Sequence, residues 1–190
     1  MPAITQCFLN YIGNAAGSDA LYILGDFFEV WVGDDDRNQL TDTVARALTD
    51  LAATGTKISL MHGNRDFLLG KAYAERCGAQ LIEDPTVVDC YGQKLVLMHG
   101  DSLWTRDLEY MKFRKMVRSE RWQNDFLERS LVERHMIAQQ TRQQSKEQSS
   151  HKASDIMDVT PQEVLDVLYY KQVNMLIHGH THRPSVHTIR

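Results

Sequence analysis

The sequence predicts an α/β domain. Two observations carry that prediction. Short apolar runs, bounded by glycine and polar residues, alternate with stretches of helical period. Four runs also lead into a residue able to ligate a metal, namely Asp26, Asn64, His99 and His180. In α/β sheets the C-terminal edge of the strands is where ligands bind.

The elements follow in order. Residues 3–16 read as a helix. Residues 20–25, ALYILG, read as a buried strand that ends at Asp26. Leu40, Val44, Leu48 and Leu51 recur at helical spacing, which predicts a helix over 40–53. KISLMHGNRD is a second strand leading to Asn64, and residues 70–77 suggest a short helix. VVDCYGQKLVLMHGD reads as a hairpin turning near Gly92, whose second strand ends at His99 and Asp101. TPQEVLDVLYYKQ reads as a helix with a capping box, Thr160 capping, Pro161 opening and Glu163 three residues on. Met175, Leu176 and Ile177 form a last short strand, followed by His-Gly-His-Thr-His at its end, where Gly179 lets the backbone bend.

Composition bounds the function. A chain of 190 residues suits one domain with a sizeable core. A net charge of −4 excludes a general nucleic-acid binder. The three cysteines, Cys7, Cys77 and Cys90, are far apart, so neither a disulfide framework nor a thiolate zinc site is expected. No apolar run reaches the roughly 18 residues of a membrane span. No signal-peptide pattern opens the chain, so a cytoplasmic location is expected. Charge is uneven: residues 106–152 hold 11 Lys/Arg and 7 Asp/Glu, a net of +4, which leaves −8 elsewhere.

The histidine-rich stretch NMLIHGHTHRP carries the chemistry. It places His178, His180 and His182 at alternate positions, 3 of the chain's 8 histidines. Neutral imidazoles gathered in one place point to a metal once other ligands converge on them. Carboxylate, amide and imidazole donors without thiolate suit Mn²⁺, Fe²⁺, Mg²⁺ or Zn²⁺. Asp26 is the natural bridge, since one carboxylate can bind two ions. Two ions ~3.5–4 Å apart clamp both oxygens of a phosphoryl displacement.

Gly25-Asp26, Gly63-Asn64-Arg65-Asp66, His99-Gly100-Asp101 and Gly179-His180-Thr181-His182 resemble the motif blocks of the calcineurin-like metallophosphoesterases. LYILGDFFEVWVGDDD, HGNRDFLLG, MHGDSLWTRD, SKEQSSHK and IHGHTHRP are similar to the branch of that family that cleaves a UDP-linked acylated sugar in lipid A synthesis. The similarity spans nearly the whole chain.

The resemblance implies a four-layer αββα sandwich over 1–190, with a helical lid inserted at about 106–153. It implies hydrolysis of the diphosphate to UMP and the acylated sugar 1-phosphate, with two Mn²⁺ ions, at the cytoplasmic face of the inner membrane. Asp26, Asn64, His99, His180 and His182 would be metal ligands. Asn64, Arg65, Asp107, Ser145, Ser149, Lys152 and His180 fall where the family binds substrate. Asp26, Asn64, Arg65, His99 and His180 would form the catalytic set. The family pattern also has an opening strand ending in Asp-x-His and further strands after the last histidine block. This sequence holds neither, so it reads as cut at both ends. One site then keeps Asp26, Asn64, His99 and His180, the other only Asp26 and His182, and one tightly held ion is expected.

Arg65 argues for a diphosphate independently. General phosphoesterases of this fold carry His after Gly-Asn, placed to protonate an alkoxide. Arginine is a poor acid but a good bidentate phosphate clamp. A phosphate leaving group, with a second pKa near ~6, departs without protonation.

In the basic segment, Leu108, Met111, Met116, Trp122, Phe126, Leu127, Leu131, Val132, Met136 and Ile137 alternate with Arg114, Lys115, Arg118, Arg121, Arg129 and Arg134. A basic amphipathic helix pair suits an anionic membrane surface and acyl chains, whereas a plain helical cap would bury the same apolar face as core.

Other candidates have bland readings. The run Asp34–Asp36 reads as a solvated turn, and His62 and His178 as packing or supporting residues. Asp66 and Asp101 are expected to orient ligands such as His99. His135 and His151 show no partner, and Trp31 and Trp104 read as packing. The competing functions are a soluble nucleotide pyrophosphatase or phosphodiesterase, and an inactive metal-poor scaffold.

Overall fold

The computed structural model describes residues 2–150 and 159–188. Helix α1 (Pro2–Asn14) leads into strand β1 (Ala20–Leu24), helix α2 (Gln39–Ala53), β2 (Lys57–Met61), α3 (Lys71–Arg76) and β3 (Ala79–Ile82). The hairpin is β4 (Thr86–Cys90) and β5 (Gln93–Met98). Three helices follow, α4 (Leu108–Val117), α5 (Glu120–Leu127) and α6 (Leu131–Ser150), then α7 (Pro161–Lys171) and β6 (Leu176–His178).

The strands form two sheets, as the αββα resemblance implies. The first is parallel, in the order β1-β2-β3. The second has the order β4-β5-β6, antiparallel within the hairpin and parallel between β5 and β6.

Strand alternation explains why two sheets stack between helices. On β2, Ile58 and Leu60 join the core shared with α1, α2 and α3, while Met61 faces the other way. On β5, Val96 and Met98 pack against Val164 and Leu168 of α7. Leu95 and Leu97 instead meet Met61, Leu24, Ile82 and Val88 between the sheets. The result is the four-layer αββα arrangement. It carries the β1 and β2 ends in one sheet and the β5 and β6 ends in the other to a common edge.

The chain differs locally from its predicted elements. Strand β3 was not foreseen, because AQLI is only four residues long. The capping box at Thr160 does not form. Its Oγ1 accepts from Thr105 Oγ1 at 3.0 Å, and its side chain makes no capping bond. A capping box stands instead on α2, where Asn38 and Thr41 satisfy each other's backbone N–H groups.

The segment expected as a lid forms three helices, not a pair, and ion pairs tie α4 and α6 to the rest of the chain. Of its basic side chains, Arg114 and Arg118 turn inward to the buried Asp101, and Arg134 is buried against Asp35 and the Val32 carbonyl. Those three therefore do not belong to the solvent face expected for them. Phe126 is buried in the main core, with Trp122 and Ile137 packed against it. Leu108, Met116, Val132 and Met136 remain exposed. The segment thus has a core-facing side, as a helical cap would, and a separate apolar side that the rest of the described residues leave uncovered. Residues 151–153 of the expected lid lie outside the described residues.

Candidate metal centre

The site is assembled from four strand ends. Gly25 (φ 82°) and Asp26 (φ 52°) turn left-handed directly after β1. Glycine is required at two points of this turn. A Cβ on Gly25 would strike Gly63 and the His99 ring, and one on Gly63 would strike Asp26. The β1 and β2 loops thus approach too closely for a side chain on either glycine.

Asp66 locks the two loops together. It is 1% exposed, and its Oδ1 accepts from Gly63 N at 2.7 Å and Asp26 N at 3.2 Å. Its Oδ2 accepts from Phe27 N at 2.6 Å and Phe28 N at 3.3 Å. Burial pushes its carboxyl pKa up, against the opposing pull of those N–H groups.

His99 is fully buried and approaches both partner ends. Its Nδ1 lies 2.8 Å from the Leu24 carbonyl, which orients the ring. Nε2 then faces Asn64 Oδ1 at 3.1 Å and Asp26 Oδ1 at 3.7 Å. Asp66 supports Asp26, as expected of a residue that orients a ligand, but not His99: Leu24 orients that ring, and Asp84 Oδ1 accepts from the His99 backbone N–H at 3.3 Å.

His180 closes the group. Donor atoms of Asp26, His99 and His180 all lie within 4.8 Å of one another. Both His180 ring nitrogens are buried and meet no hydrogen-bond partner among the described residues. Its ring packs against Trp104 at 4.1 Å and His99 at 4.9 Å between centroids. Burial, reinforced by His99, pulls the His180 pKa down to about 3, so the imidazole is neutral at working pH. A neutral imidazole with two buried, orphaned nitrogens, beside a carboxylate and a second imidazole, fits a divalent metal.

The remaining predicted residues are placed less centrally. His182 (φ 54°) is exposed and stands outside the group of three. Arg65 borders the group: its N–H donates to Asp26 Oδ1 at 2.9 Å and its Nε lies 3.6 Å from Oδ2. Asp107 is buried and N-caps α4 through the Tyr110 N–H at 3.1 Å. Ser145 is exposed on α6. Ser149 belongs to α6, its side chain outside the description, and Lys152 and His151 lie outside the described residues.

The bland readings also resolve. His62 Nε2 lies 2.6 Å from the Leu69 carbonyl. Asp34 accepts from Gly70 N, Tyr73 N and Trp31 Nε1, Asp35 pairs with Arg134, and Asp36 with His135 at 3.0 Å. The acidic run is thus an anchor for α3 and the lid rather than a solvated turn. Glu29 was not foreseen. It accepts from Arg65 Nη1 at 2.7 Å and from Arg142 Nη2 at 2.6 Å, so it joins the site to α6. No local pattern signals a contact between residues 113 positions apart.

Two stacked sheets whose strand ends gather nitrogen and oxygen donors at one edge define a metallophosphoesterase. The calcineurin-like phosphoesterase family model matches residues 3–184, and the chain belongs to that family of metal-dependent enzymes. Among curated proteins it is 51% identical to a UDP-2,3-diacylglucosamine hydrolase of Marinobacter nauticus, over 99% of this chain and 78% of that protein. It is 49% identical to the protein of that name from Cellvibrio japonicus, over 99% and 79%, and 47% identical to that of Pseudomonas aeruginosa PAO1, over the same shares.

Proposed function

We propose that this chain hydrolyses UDP-2,3-diacylglucosamine, the compound in the names of its relatives, at the diphosphate bond, giving UMP and 2,3-diacylglucosamine 1-phosphate. The structural observation that carries this reading is Arg65 beside the Asp26–His99–His180 group. A guanidinium cannot serve as general acid, but it can hold a phosphate whose departure needs no proton.

Asp26, Asn64, His99 and His180 would hold a divalent ion, and the oxygen-containing donor set suits Mn²⁺. The exposed His182 would serve an adjoining position. When bound, the metal supplies Lewis-acid stabilisation of the phosphoryl oxygens and a nucleophilic water. Leu24 fixes the His99 tautomer, Asp66 fixes the Asp26 backbone, and Trp104 excludes water from one side of His180. Arg65 binds and orients the diphosphate, and Glu29 holds its guanidinium extended towards the site. Asp107, Ser145, Ser149 and Lys152 are proposed to contact the substrate from the lid side. Replacing Arg65 by Ala should not weaken Mn²⁺ binding, and should lower UMP release about 100-fold or more, the size expected for one charge-stabilising donor. An aryl phosphate turned over as fast as the lipid-linked diphosphate would favour the soluble phosphodiesterase reading.

The lid supports a second part of the reading, peripheral association with the anionic cytoplasmic face of the inner membrane. None of the described helices is long and apolar enough to cross a membrane. Leu108, Met116, Val132 and Met136 are exposed, as are Lys115, Arg121 and Arg129. Reversing the last three charges to Glu should weaken binding to anionic vesicles, at roughly 1 kcal/mol per basic residue near the surface. Unchanged vesicle binding at low salt would remove this part of the reading.

A further inference from the structure

Arg118 lies at the C-terminal cap of α4, far in sequence from any proposed ligand. Its Nη2 donates to the Gly63 carbonyl at 3.0 Å and also to Asp101 Oδ2 at 3.2 Å. Gly63 precedes Asn64 at the end of β2. Asp101 follows His99 by two residues at the end of β5. One guanidinium from the lid therefore bridges the two sheets beside the Asn64–His99 contact.

We propose that Arg118 is a positioning residue that couples lid docking to the metal-ligand geometry. The proposal rests on the reading that Asp26, Asn64, His99 and His180 hold the ion. Gly63 is held on both sides, its N–H by Asp66 and the C=O it shares in a peptide with Asn64 by Arg118. With both flanking peptide planes anchored the residue has little freedom to turn, and the Asn64 side chain that follows is aimed at His99 Nε2. Asp101 is fully buried, and its Oδ2 also accepts from Tyr110 Oη and Arg114 Nε, each at 2.8 Å. That end of the bridge is rigid. If α4 leaves, the Gly63 carbonyl loses its donor and Asn64 its fixed aim.

The sign of the effect separates this role from simple electrostatics. Removing a positive charge near a cation site should tighten cation binding. Removing a positioning residue should weaken it, by about 10-fold to 100-fold for groups that orient ligands. Arg114 provides the matched control, since it pairs with the same Asp101 oxygen but no hydrogen bond joins it to Gly63.

The test is Mn²⁺ titration by calorimetry on the full chain, with wild type, Arg118→Met and Arg114→Met, and thermal unfolding of each metal-free protein. Weaker binding by about 10-fold or more in Arg118→Met alone is expected, with both variants folded and similarly destabilised. Equal or tighter binding in Arg118→Met, or equal weakening in both variants, would overturn the inference while leaving the metal site standing. A wild-type chain that binds no Mn²⁺ would overturn the site reading itself. Should Arg118→Met fail to fold, Arg118→Gln, which keeps a donor for one acceptor, takes its place with the same expected order.

Discussion

His99 Nε2 and Asn64 Oδ1 meet at 3.1 Å across the boundary between the two sheets. β5 belongs to one sheet and β2 to the other. The pair therefore exists only when the sandwich is closed, and a metal held by it would be coupled to that closure. Replacing either residue by Ala should weaken Mn²⁺ binding by at least about 100-fold, beyond the usual effect of a supporting residue. Calorimetric titration of each variant checks this, and wild-type affinity in either would show that the pair is not part of the site.

Asp66 should matter to stability as much as to chemistry. It accepts four backbone N–H groups from two loops in a site that is 1% exposed. Asp66→Ala strands those donors, and a loss of roughly 4 kcal/mol is expected. Denaturant unfolding of the metal-free variant measures it. A loss near the effect of an ordinary surface substitution would mean that the loops hold each other without the carboxylate.

The sandwich was partly legible in the sequence because strand phase writes itself as alternating residues. Asp26, Asn64, His99 and His180 could be picked out because each follows an apolar run. The split into two sheets came from the motif resemblance instead, since alternation says which residues share a face but not which strand lies beside which. Three arginines of the basic segment were hidden for a different reason. Arg114, Arg118 and Arg134 look like any solvent-facing arginine, and only the fold supplies the buried Asp101 and the Asp35 that draw them inward. Thr160 shows the same limit: its capping pattern is intact, but Thr105, 55 residues away, takes its hydroxyl.

Stability should fall with acid in two windows. The His180 pKa is depressed to about 3, so below about pH 6.5 the unfolded chain takes a proton that the folded chain refuses. Its contribution is present above that value and declines as pH falls towards 3. For Asp101, burial alone would raise the pKa, but Arg114 and Arg118 outweigh it and hold the carboxyl at about 2. Its contribution, roughly 2 kcal/mol, is full above the ordinary carboxylate range and is lost as pH falls towards 2. In metal-free protein, wild type should lose roughly 2 kcal/mol more than His180→Asn between about pH 7 and 5. Parallel stability curves would show that His180 is not held neutral by its surroundings.

The most direct test is UMP release from UDP-2,3-diacylglucosamine by the Mn²⁺-loaded chain, measured beside His180→Ala and a chelated control. His180 brings two buried, unpartnered nitrogens to the group formed with Asp26 and His99. Mn²⁺-dependent UMP formation in wild type that falls to the chelated background in His180→Ala is the predicted result. Equal UMP release by the two proteins, or none from a folded wild type with its metal bound, would contradict it.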